Sequence, residues 1–147
     1  MSDRNPLPRE EAIARMQAYQ ESLAQAFGRG AALYDALFDK PPGPIAAHEI
    51  DGSKVITRVN PFELELLGYR REQMLGRPVF EFIVMQEVGK RAIDKKLTET
   101  GEIKPFVRSY VRADGSAVPM LIVDRQRRDG AGRVLGMRTV MMETAGL

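Results

Sequence analysis

His48 is the single histidine, and no cysteine occurs anywhere in the 147 residues. One imidazole cannot assemble a metal cluster, and a lone strand histidine is more often packed or hydrogen-bonded than a ligand. A histidine in a strand is also unsuited to be the exposed phosphoacceptor of a kinase helix. The absence of cysteine excludes disulfides, thiolate metal sites and cysteine nucleophiles together. No Gly-x-x-x-x-Gly-Lys-Ser/Thr loop, Gly-x-Ser-x-Gly elbow or His-Glu-x-x-His pair is present, and Gly130-Ala131-Gly132 precedes no helix, so it reads as a hairpin turn. Arg125-Gln126-Arg127-Arg128 is the densest basic run. It reads as a solvated turn, with an acidic partner or a nucleic acid as the alternative contact. The expectation is a protein that is not an enzyme.

Charge and composition agree with a binding role. Lys plus Arg is 22 against 20 for Asp plus Glu, and hydrophobic residues make up 44%. Such a chain folds into one domain plus an appendage, and its small net charge argues against nucleic acid as the main partner. The positive excess lies in residues 104–147, with 8 basic and 4 acidic side chains, where an Arg-rich, solvated outer sheet face accounts for it. The polar N-terminus, with Pro6 and Pro8, is no secretory signal, and no apolar run is long enough for a membrane helix. A soluble protein of the cytoplasm, not bound to membrane, is expected.

The chain divides at Pro41-Pro42-Gly43-Pro44, which fixes φ and removes donors. Residues 1–44 form a helical extension and Pro-rich linker, broken at Gly28-Arg29-Gly30; residues 45–147 form the main domain. Ile13, Met16, Leu23, Phe27, Tyr34 and Leu37 fall on one heptad frame, whose other two positions are Gln20 and Gly30. This narrow seam either packs on its own domain or faces a partner helix, and we assign it as a homodimer interface.

After the break, Ile45–Ile50 and Val55–Val59 read as a hairpin around Asp51-Gly52-Ser53-Lys54. Asn60-Pro61-Phe62-Glu63 reads as an N-cap with a capping box, and Gly68 as the helix stop. A short helix over Arg71–Leu75 and a longer one over Met85–Thr100, closed by Gly101, follow. Ile103–Arg112, Ala117–Arg125 and Val134–Glu143 are three strands joined by Asp-Gly turns.

With this element order, Val59-Asn60-Pro61, Leu66-Leu67-Gly68-Tyr69, Met74-Leu75-Gly76-Arg77-Pro78, Arg112-Ala113-Asp114-Gly115-Ser116 and Gly132-Arg133-Val134-Leu135-Gly136 together resemble a PAS domain. PAS domains are small sensory modules of bacterial and eukaryotic signalling proteins. The resemblance covers residues 45–144 and implies an α+β fold: a five-stranded antiparallel sheet in order 2-1-5-4-3, with short helices and a ligand cavity on one face. The residues that carry it cap and turn the chain; they are scaffold, so function must come from the cavity.

Alternation along strands aligned on the Asp-Gly turn implies an inward set of Phe106, Arg108, Tyr110, Met120, Ile122, Met137, Thr139 and Met141, joined by His48 and Ile50. Three occupants suit such a wall: the protein's own side chains as a filled core, an apolar or aromatic acid, or a cofactor. Arg108 favours an acid, because an inward guanidinium needs an anion or acceptors. Without cysteine the flavin-adduct and hydroxycinnamate photosensors of the family are excluded. Haem is disfavoured because residues 79–100, where haem sensors of the family usually carry their histidine, contain none, which leaves His48, with a methionine as second ligand, as the candidate; the cofactor stays undefined. The usual Asp-Ile-Thr exit is replaced by Met142-Glu143-Thr144, and no output domain follows Leu147. The reading is a non-enzymatic sensory and dimerisation module that signals to a separate partner protein, or else is a fragment. The alternative is a plain protein-interaction domain with a filled core.

Overall fold

The computed structural model describes residues 7–98 and 103–144. Two helices come first, α1 (Arg9–Phe27) and α2 (Ala31–Asp39), separated where Gly30 takes φ +125°, a value that an L side chain rarely adopts. Beyond the proline run, β1 (Ala46–Asp51) and β2 (Ile56–Val59) form the hairpin. Three helices follow, α3 (Pro61–Leu67), α4 (Arg71–Met74) and α5 (Gln86–Thr98), with a 3-10 turn at Val79–Phe82 between the last two. Thr100 and Gly101, the expected end of the long helix, lie outside the described residues, as does Leu147. Strands β3 (Phe106–Val111), β4 (Ala117–Arg128) and β5 (Val134–Glu143) complete one antiparallel sheet in the order β2-β1-β5-β4-β3.

Asn60 is the joint between its halves, and it is fully buried. Its side-chain oxygen accepts from the backbone N–H of Glu63 (2.9 Å) and of Ala47 (3.1 Å), which caps α3 and ties it to β1. Its amide donates to the carbonyl of Ile45 at 3.1 Å. The expected capping box is only half formed, because the Glu63 carboxylate turns to His48 instead of the Asn60 N–H, which donates to the Ala47 carbonyl. On the central strand β5, where Gly136 pairs with Asp51 at the end of β1, an added Cβ would lie 1.9 Å from the Ile50 carbonyl oxygen. Only glycine lets β5 approach β1 this closely.

Both faces of the sheet are covered. On the inner face Ile50, Tyr110, Met120, Ile122, Met137 and Met141 pack against Leu67, Met74, Ile83 and Ile93 of the helical side. On the outer face Met16, Tyr19, Leu23, Tyr34 and Phe38 pack against Ala47, Leu121, Val123 and Val140. This corrects three expectations. The outer face is not solvated, because α1 and α2 lie on it, and Arg138 there is 3% exposed. The run Arg125–Arg128 is strand and not loop, since β4 pairs with β5 as far as Arg128 opposite Val134. In the proposed dimer seam Met16, Leu23 and Tyr34 are buried within this chain and so are not free for a second copy; Ile13 and Leu37 are half-buried against the same core, and Phe27 alone stands out, 56% exposed. The seam points at its own sheet because that sheet offers a wider apolar face than a narrow helix stripe can leave uncovered.

Gln20, a misfit in a heptad seam, is what registers α1 on the sheet. Its amide donates to the carbonyls of Val123 (2.9 Å) and Arg138 (2.8 Å), and its oxygen accepts from the Arg138 guanidinium at 2.6 Å. Arg138 also donates to the Tyr34 hydroxyl at 3.1 Å, and that hydroxyl donates to Glu49. Arg58 and Arg127 approach the same carboxylate at 3.8 and 3.7 Å. The Tyr34 phenol is pushed up to about 12, first by burial, against the pull of Arg138.

Replacing Gln20→Leu strands the Arg138 guanidinium in an apolar layer and is expected to cost about 2–4 kcal/mol in urea unfolding. Hydrogen exchange in α1 should rise more than in β4 and β5. Gly136→Ala forces β1 and β5 apart, with an expected loss of about 3 kcal/mol or more, read from the same unfolding curve.

Candidate functional site

Eight polar and aromatic side chains converge on the inner face beneath α3 and α5. His48 of β1 is fully buried, and its Nδ1 stands 2.8 and 3.0 Å from the two carboxylate oxygens of Glu63 on α3. The Tyr110 ring meets the imidazole edge-on, with centroids 6.1 Å apart. At the α5 end, Lys96 Nζ lies 3.0 Å from Asp124 Oδ2 and 3.3 Å from the centroid of the Phe106 ring. The other Asp124 oxygen accepts from the Thr139 hydroxyl. Arg108, half-buried on β3, stacks its guanidinium at 4.9 Å on Phe106, two residues earlier on the same strand.

The electrostatics follow from burial and from these pairs. Burial alone would pull the His48 imidazole down, but the charge of Glu63 and its hydrogen bond outweigh burial, and the net shift is upward. Lys96 is lowered, mainly by desolvation, in spite of Asp124. The Tyr110 phenol is driven far up by burial, with Arg108 pulling the other way. Among the described residues no carboxylate stands within 4.0 Å of Arg108. With every group ionised, the imidazolium, Lys96 and Arg108 face Glu63 and Asp124 among the described residues, so the described cluster carries one positive charge more than negative.

A family model described as PAS fold matches residues 32–143. The chain belongs to the PAS family. Its sheet order and helical side are those of a PAS domain, a sensory and signalling module, and solved structures share the fold. The PAS domain of an HTR-like protein from Haloarcula marismortui is 21% identical, with TM-score 0.61 over 87% of this chain and 99% of that one. A PAS domain from Colwellia psychrerythraea is 16% identical, with TM-score 0.66 over 77% of this chain and 95% of that one. VqmA bound to DPO is 22% identical, with TM-score 0.62 over 79% of this chain and 58% of that one. No curated protein matches the sequence.

The PAS sheet places the ten residues of the expected inward set as follows. Ile50, Tyr110, Met120, Ile122, Met137 and Met141 form the inner core with Phe106 packed against it, while His48, Arg108 and Thr139 join the polar cluster. Three members of that cluster are new. Glu63 was read as a helix cap, Lys96 sits at the end of α5 with no signal of its own, and Asp124 follows Ile122 by two residues. Strand parity alone would have included Asp124. His48 is engaged by Glu63 and Tyr110, and no group of three His, Asp or Glu side chains able to hold a metal occurs among the described residues.

Because the folded state raises the His48 pKa above its ordinary value of about 6.5, the protonated ring stabilises the fold. This contribution is full below the unfolded pKa and is lost as pH rises through the folded one. The free energy of unfolding should therefore fall as pH is raised above about 6.5, and His48→Gln should flatten this slope. As His48 is the only histidine, one NMR titration of its ring checks the sign.

Proposed function

We propose that this PAS domain is a non-enzymatic sensor whose inner-face cluster takes up a small apolar or aromatic acid, with Arg108 as its counter-ion. The observation that carries this reading is the half-buried guanidinium that has, among the described residues, no carboxylate within 4.0 Å, in a cluster whose described members are one negative charge short of balance. Desolvating such a cation favours a bidentate anion, and Phe106 and Met120 beside it supply the apolar contact for the rest of the acid. VqmA, a neighbour of the same fold, was solved bound to DPO, which supports a small-ligand reading in general terms and says nothing about this chain's ligand.

Signalling to a partner protein then requires that the acid bind two arrangements of the domain with different affinity. The path is short. Thr139, bonded to Asp124 in the cluster, is the chain neighbour of Arg138, which holds Gln20 of α1 on the other face. The outward sides of α1 and α2 are the surface we assign to the partner or to a second copy of the domain.

A thermal-shift series of aromatic and aliphatic carboxylic acids against their neutral amides tests the reading. The acids should raise the melting temperature and the amides should not, and Arg108→Gln should abolish the effect while keeping the fold. Mass spectrometry of ligand carried through purification should find an acid. Silence in both measurements would leave a filled core and the plain interaction domain.

A further inference from the structure

The outer end of the sheet holds a second feature that the sensor reading does not use. Between the last turn of α1 and the β4–β5 hairpin lies a hollow of about 200 Å³, lined by Ala24, Phe27, Leu135 and the arginines 125, 127, 128 and 138. No acid is among its lining residues. The carboxylates within 4.0 Å of these four guanidiniums, among the described residues, are Glu21 on Arg125 at 2.8 Å and Glu49 on Arg127 at 3.7 Å. Arg138 is occupied below by Gln20 and Tyr34. Arg128, exposed at the rim, donates among the described residues to the Gly132 carbonyl and the Gln126 side chain. Two large apolar side chains stand open beside these cations, Phe27 at 56% and Leu135 at 41% exposure. A groove of about 580 Å³ continues from Arg125, Gln126 and Arg128 past Glu21 and Asp124 along α1 to Gln17.

We infer that this hollow is a docking site for an acidic segment of a partner protein, one that places an aliphatic or aromatic side chain between Phe27 and Leu135 and its carboxylates on Arg125 and Arg128. Charge complementarity selects the sign of the partner, because the arginines outnumber the acids that reach them. The exposed apolar pair and the concave shape favour a peptide over nucleic acid, whose phosphates need a continuous basic track; here Glu21 and Asp129 interrupt it. An extended segment lying along the groove would put alternate side chains into the hollow.

A random phage-displayed peptide library panned on the full chain tests this. Enriched peptides should carry at least two acids flanking an aliphatic or aromatic residue. A synthetic copy labelled for fluorescence anisotropy should weaken about tenfold with Arg128→Glu and again with Phe27→Ser, and weaken with salt. Melting curves should show both variants folded; if Arg128→Glu melts early, Arg128→Gln replaces it. Failure to enrich, enrichment of neutral or basic peptides, or affinity indifferent to Arg128 overturns the proposal. So does a labelled DNA duplex that binds with the same Arg128 dependence and displaces the peptide. None of these outcomes involves Arg108, so they stand apart from the sensor test.

Discussion

A sheet covered on both faces leaves its polar side chains no water to turn to, and the architecture of this protein follows from that constraint. β1, β4 and β5 carry His48, Glu49, Asp124, Arg138 and Thr139, all less than a tenth exposed. Each unpaired polar group in such a place costs about 1–3 kcal/mol, and an unpaired charge more. Helices must therefore bring partners as well as apolar surface. α3 brings Glu63 to His48, α5 brings Lys96 to Asp124, and α1 and α2 bring Gln20 and Tyr34 to Arg138 and Glu49. Among the described residues, every buried side-chain nitrogen and oxygen has a hydrogen-bond partner.

The two faces solve the problem differently. The outer network alternates Gln20, Arg138, Tyr34, Glu49 and Arg58, with Arg58 also stacked on the Tyr34 and Phe38 rings and paired to Asp35 at 2.6 Å. It holds two helices in register. The inner cluster is less complete, since among the described residues its cations exceed its acids and Arg108 is half-buried. A closed network specifies one arrangement, whereas an incomplete one responds to what is added. The faces communicate through the shared backbone, because successive residues of β5 serve opposite sides.

How far residue order disclosed this depends on the range of the interaction. Turns and caps were legible: Gly68, Asp114-Gly115 and Gly132 sit where their conformations require, and Asn60 caps α3 as read. Strand parity placed the whole inward set on the correct face, because alternation is a property of the backbone. The heptad count over α1 and α2 found real core positions in Met16, Leu23 and Tyr34, yet mistook their partner. A helical stripe states that a face is buried and never against what. The strand over Ala117–Arg125 was read too short, because a charged run resembles a turn until a pairing strand is known to lie beside it.

Local covalent geometry, capping chemistry and the two-residue period of strands are written in neighbouring residues, so the sequence by itself determined the element order, the breaks and the inward side of each strand. The charge partners join residues as far apart as Gln20 and Arg138, or Lys96 and Asp124, and no local pattern encodes such meetings. Tertiary structure alone decided that Gln20 is a lock and not a flaw, that Glu63 serves a histidine, and that Arg108 stands, among the described residues, without an acid within 4.0 Å. Burial sets the strength of a charge, and burial exists only once the chain has closed on itself.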